Sequence, residues 1–179
     1  MRINLAPSVS DTPLGLETIT RILPLDALQE AIDVCGAREQ RQHKLTALMT
    51  LLLCISMKLY NHYSWESLLV RLANPLRWLG VAEAPQATKG AISMARSRLG
   101  VRPLAHAFRH LCQPIATPDT PGAFAFGRRL VAFDGTTERV VDTADNERIF
   151  GKPRNSNCPL VQAVYLCELG THVIFDAAF

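Results

Sequence analysis

The sequence predicts an α+β (or α/β) protein, an all-helical first part followed by a smaller part that opens a β-sheet. Three observations carry this expectation. Apolar residues recur at helical spacing in successive segments between Leu23 and Cys112. A Pro- and Gly-rich stretch, residues 113–122, then breaks all periodicity. Beyond it, short runs rich in β-branched and aromatic residues replace the helical pattern. With 179 residues, 48% of them apolar, the chain has material for a real core, which argues against disorder.

Residues 1–22 mix Pro7, Pro13, Gly15 and small polar residues without an apolar period and read as a flexible arm. Leu23-Pro24-Leu25-Asp26 opens an amphipathic helix in which Leu25, Leu28, Ala31, Ile32 and Cys35 share a face and Gly36 is the stop. A basic connector, Arg38 to Lys44, leads to a long core helix from Leu45 to about Asn61. Ser64 can cap a helix from Trp65 to Leu72, with Asn74-Pro75 expected to end it. Thr88 can cap a helix through Ile92, Ala95 and Leu99 that stops at Gly100, with Lys89, Ser93 and Arg96 on an adjoining face. Pro103 suits the first turn of a last helix, Leu104 to Cys112. The domains expected are therefore a helical unit at 23–112, a linker at 113–122 and a sheet-forming unit at 123–179.

In the last unit, Leu130-Val131-Ala132-Phe133 reads as a short buried strand ending on Asp134-Gly135, with Thr136 to Val141 as an extended return. Asp142 or Thr143 can cap a short helix from Ala144 to Phe150, and Asp145 is consistent with a capping role there too. Leu160 to Cys167 and Thr171 to Phe175 read as two strands joined by a tight turn at Glu168-Leu169-Gly170.

Charge is concentrated. The formal net charge is only +3, but from Ala84 through Pro118 there is no acidic residue, while Lys89, Arg96, Arg98, Arg102 and Arg109 are all present. Ordinary solvated helices mix both signs, so this stretch points to a polyanion, with double-stranded DNA held through its phosphates. The residues from Met1 to Ser8 lack the apolar run of a secretory signal, and Leu45 to Leu59 is interrupted by Thr46, Thr50, Ser56 and Lys58; a cytoplasmic protein without a membrane span is expected. The cysteines form no C-x-x-C pair and sit mostly within apolar runs, as small buried hydrophobes do.

An aspartate held at the end of a rigid strand, followed by a glycine that lets the chain turn away, has the placement a metal-binding carboxylate needs. Asp-Gly alone is also a common turn dipeptide. Its surroundings are more specific. The segment from Leu130 to Gly151, with Asp134-Gly135-Thr136, Asp142-Thr143, Asn146 and Phe150-Gly151 in order, resembles the region around the first catalytic aspartate of the insertion-sequence type 4 transposases. Pro159-Leu160-Val161-Gln162 and Glu168-Leu169-Gly170-Thr171-His172 continue that resemblance, and Ala95 to Gly100 followed by Pro103-Leu104 is similar to the close of the family's helical N-terminal domain. The resemblance covers roughly residues 22–179.

The resemblance implies DNA transposition by metal-dependent strand cleavage and transfer, and a ribonuclease H-like mixed sheet whose first strand carries Asp134. In this class two aspartates and a glutamate hold two magnesium ions for in-line attack on phosphodiesters. Only the first carboxylate, Asp134, falls within residues 1–179, so the reading is of an incomplete catalytic fold that is inactive alone and binds Mg2+ weakly or not at all. Asp176 falls where the family has a strand residue without a catalytic role. The rival reading is a truncated, non-catalytic DNA-binding protein that occupies transposon ends or dimerises with intact transposase and inhibits it. An unrelated metal-dependent nuclease is a third, but the strands show no acid besides Asp134 to support it. His106 and His110 have the spacing for a metal but lack the glutamate of a metalloprotease motif, and a basic helix face is the better reading. Cys158 and Cys167 lack a base pattern for nucleophilic work, and Trp65 and Trp78 read as core anchors.

Overall fold

Thirteen residues without a strong polar face, Ala47–Leu59, form the helix around which the first unit is built (α2). A helix that is apolar on most sides must be covered on most sides. In the computed structural model, which describes residues 23–41, 43–60, 62–78 and 87–179 and only the backbone of 73–78, α2 packs on α1 (Leu25–Val34), α3 (Trp65–Trp78) and α4 (Lys89–Leu99). The expected arm at 1–22, most of the connector after α3 and the Trp78 side chain lie outside the described residues. Leu28 and Ile32 of α1, Leu51, Leu52 and Leu53 of α2, Leu68 and Leu69 of α3, and Ile92, Ala95 and Leu99 of α4 make the core.

The helix ends follow from local chemistry. Gly36, at φ +64°, takes the left-handed conformation that closes α1. Thr46 accepts from the Met49 amide at 3.2 Å, so α2 starts at Ala47, two residues later than expected. Ser64 accepts from the Ser67 amide at 3.2 Å, and Thr88 from the Ala91 amide at 3.3 Å, as their sequence positions foretold. α3 does not end at Asn74 but runs through Pro75 to Trp78. A proline inside a helix forfeits one bond to the carbonyl four residues back, and the chain here continues past that loss. α5 (Arg102–Leu111) buries Pro103 and Ala107. Among the described residues no helix is long and apolar enough to cross a membrane.

The chain divides into two compact units between Ala107 and Phe108. The second unit opens with a two-stranded ribbon, β1 (Phe124–Ala125) and β2 (Arg128–Arg129), whose turn residues Phe126 and Gly127 both have positive φ. A three-stranded antiparallel sheet follows in the order β3 (Val131–Arg139), β4 (Leu160–Glu168), β5 (Ile174–Ala178), with helix α6 (Ala144–Phe150) between β3 and β4. Thr143, not Asp142 or Asp145, caps α6, accepting from the Asn146 amide at 3.2 Å. Asp142 instead bonds Lys152 at 2.9 Å through both oxygens, which raises the Lys152 pKa, and Asp145 lies 3.7 Å from Arg148.

Three further expectations are corrected. Asp134-Gly135 is not a turn: β3 continues through it as one nine-residue strand, because every residue from Val131 to Arg139 finds a partner on β4. Nor is that strand buried, since Asp134 and Gly135 are exposed and Phe133 is 76% exposed. The last strand begins at Ile174 instead of Thr171, because His172 adopts a positive φ and lengthens the turn.

At that turn lies a carboxylate with no exposure at all, Glu168. Its Oε2 accepts from the amides of Ile115 (3.1 Å) and Ala116 (2.8 Å) and from the Thr171 hydroxyl (2.6 Å), while Oε1 faces the Arg129 guanidinium. The residues at 113–117, β2 and the β4–β5 turn therefore meet on one side chain. Gly170 closes the same junction: at φ +88°, an added Cβ would come within 2.8 Å of the Pro121 carbonyl and 2.9 Å of the Ala123 methyl. Glu168→Ala should strand two amides and an arginine, costing about 3 kcal/mol, and Gly170→Ala about 2 kcal/mol or more. The readout is hydrogen exchange: β4 amides should lose protection in both variants while α2 amides keep theirs. Unchanged β4 protection would show that the carboxylate is not the clamp.

Candidate nucleic-acid interface and carboxylate site

The five cations of the acid-free stretch are all exposed, but they do not form one face. On a helix turning about 100° per residue, Lys89 and Arg96 of α4 fall within roughly 20° of each other, whereas Arg98 falls roughly 160° from Arg96. Ile92, Ala95 and Leu99, the buried stripe, lie between. Arg96 and Arg98 thus flank the packed face on opposite sides, and their side chains do different things.

Arg96 lays its guanidinium 4.5 Å from the centre of the Trp65 ring, a cation–π contact that also makes Trp65 half-buried packing between α3 and α4. Its charge also acts on the thiol of Cys54 on α2. Burial pushes the Cys54 thiol above its ordinary value, and the Arg96 charge offsets only part of that. Arg98 turns the other way and donates from Nη2 to the Leu45 carbonyl at 2.9 Å, just before α2 begins. Lys89 stands near the N-terminus of α4, Arg102 opens α5, and Arg109 is in its last turn.

On the second unit, Asp134 stands opposite Tyr165 of β4, which in turn stands opposite Ala177 of β5. Cross-strand partners share a face, so Asp134 lies with Ala132, Thr136, Ala163 and Tyr165. Asp176 is registered with Leu166 and Phe133 and so belongs to the opposite face. Among the described residues no cation pairs with Asp134, and no group of three or more His, Cys, Asp or Glu side chains could hold a metal ion. Asp134 alone does not fit a pair of magnesium ions, each of which needs several oxygen ligands to be fixed. All five cysteines are free and half-buried, less enclosed than their apolar runs suggested. Sequence reasoning missed Glu168 as an organising residue; a single acid closing an apolar strand was the signal it offered.

Residues 13–109 match the family model described as insertion element 4 transposase N-terminal. The match covers the helical unit and more than half of the chain, which belongs to that transposase family. No curated protein and no solved structure matches it. A transposase-related function follows.

The two roles open to Arg96, packing and phosphate contact, are separable. Arg96→Gln should lower stability by about 0.5–1 kcal/mol, seen as a lower melting temperature, while Lys89→Gln should leave the melt unchanged. Equal melts would remove the packing role. In the folded protein a smaller thiolate fraction should make Cys54 alkylate more slowly at pH 8 than in urea.

Proposed function

We propose that this chain is the DNA-engaging portion of a transposase, in which residues 23–112 bind double-stranded DNA and residues 123–179 carry the first metal-binding carboxylate, Asp134, beyond a linker at 113–122. The observation that carries the reading is the family match over the helical unit, together with exposed Lys89, Arg102 and Arg109 in a stretch without compensating acid. Such side chains contact phosphates, which positions DNA without reading its sequence. Support for Asp134 is its exposure on a paired strand and its freedom from any pairing cation among the described residues. A ribonuclease H-like sheet and magnesium chemistry come from the resemblance around residues 130–151, which assigns the second aspartate and the glutamate to segments beyond residue 179. When bound, the metal pair would activate water or a 3′ hydroxyl; the part of this chain's own residues is to hold DNA and to offer one carboxylate.

A duplex carrying transposon ends should bind the 179-residue chain, with affinity falling steeply as salt rises. Replacing Lys89, Arg102 and Arg109 together by Gln should flatten that slope by about 0.9 for each phosphate no longer neutralised; an unchanged slope would misplace the interface. In magnesium or manganese these 179 residues alone should leave the duplex uncut. Fusion to the later segments of a close relative should bring cutting, and Asp134→Asn in the fusion should abolish it with DNA binding intact. Cutting by residues 1–179 alone, or full activity of the Asp134→Asn fusion, would overturn the assignment.

A further inference from the structure

We infer that the loop between α1 and α2, with Arg98 of α4, forms a second and separate seat for the phosphate backbone of duplex DNA. This rests on the reading above that the helical unit binds DNA, and it adds a locus on the other side of α4 from Lys89. The starting point is the helical wheel: with Arg98 roughly 160–180° from Arg96 and Lys89, a backbone strand lying along Lys89 does not reach Arg98.

Arg98 instead lines an open cavity of about 370 Å³ together with the loop residues 36–41 and His43. Its bond to the Leu45 carbonyl fixes the guanidinium at the cavity wall and uses one of its five donors. Arg41, on the loop, is exposed, and among the described residues no carboxylate pairs with Arg41 or Arg98. The acids nearby are already engaged. Asp33 accepts from Nε and Nη2 of Arg38, each at 2.7 Å, and Glu39 accepts from the amide of Ala47 at the start of α2. What the cavity offers is therefore two guanidinium groups on different elements, each without a carboxylate partner among the described residues and Arg98 with four donors left, against the single charge of Glu39.

That chemistry suits a phosphodiester, whose oxygens accept the paired N–H groups of arginine. Among the described residues no Phe, Tyr or Trp lines the cavity and His43 is its single ring, so charge-assisted bonds to an anion outweigh base stacking there. The occupant is the sugar-phosphate backbone.

The test uses the full chain and a fluorescein-labelled random-sequence duplex, with anisotropy measured over a salt series. Arg41→Gln should lower the slope of log affinity on log salt by about 0.9, and Arg41→Gln with Arg98→Gln by about twice that. Both decreases should add to that of Lys89→Gln. If the parent chain binds but both variants, with parental helical circular dichroism, keep its affinity and slope, the second seat is refuted while the proposed function stands. If the parent chain does not bind at low salt, both fall. Should removal of the Leu45 bond unfold the Arg98 variant, Arg41→Gln and Arg41→Glu decide alone, since Arg41 is exposed: a weaker, flatter salt response supports the seat and a parental one refutes it.

Discussion

The second unit depends on a carboxylate placed where no water reaches it. An unpaired buried charge costs several kcal/mol, so Glu168 is tolerable only because each of its oxygens is met: one by two amides and a hydroxyl, the other by Arg129. The same bonds solve the problem of the partners. Ile115 and Ala116 lie in neither helix nor strand, and their amides would otherwise need water or another acceptor. Because Glu168 is also the β4 residue opposite Val131, the clamp sits at the start of β3 and helps to fix its register. Register bears on the proposed role of Asp134, since a one-residue slip of β3 would carry its side chain to the face of Asp176.

In the first unit the corresponding constraint is the apolar character of α2, which requires neighbours on several sides. α4 answers with a narrow stripe, Ile92, Ala95 and Leu99, and the arginines beside that stripe are recruited into packing. Arg96 covers Trp65, and Arg98 ties the entry of α2 through Leu45. A cation near a packed face is thereby positioned by the core, with part of its donor capacity used and the remainder held in a defined direction. A basic stretch in the sequence does not distinguish such residues from freely solvated ones such as Lys89 and Arg102.

Much of the architecture was legible because it rests on local rules. Thr88 and Ser64 cap their helices, Gly36 and Gly100 take positive φ at the stops, and the stripe of α4 is the one its 3.6-residue spacing announces. The failures occurred where a distant partner outweighed a local signal. Asp134-Gly135 reads as a turn until β4, with Val161, Val164 and Leu166, supplies an unbroken ladder opposite it. Asn74-Pro75 reads as a stop, yet the helix absorbs the missing bond. Glu168 was invisible as a clamp because the two amides it accepts lie more than fifty residues earlier in the chain, and Arg129 nearly forty. At the candidate site, the residue types were readable and their grouping was not: the sequence puts Arg96 and Arg98 side by side, and the helix sends them to opposite flanks.

The proposed function assigns affinity and chemistry to different units, and the physics of each assignment differs. Phosphate binding by exposed cations is additive and tolerant, because each contact releases counterions and none requires exact geometry. Metal-assisted phosphoryl transfer has neither property, since the ions must stand about 3.5–4 Å apart and one carboxylate does not enforce that spacing. A unit that offers Asp134 on a firmly registered strand, without a pairing cation among the described residues, is suited to be one wall of such a site, and the remaining walls must come from other carboxylates. On the proposed function the fold places its rigidity at different points for different ends: the core of the helical unit would orient arginines for a ligand that forgives small displacements, and the Glu168 junction would hold the register of a strand whose proposed chemistry does not.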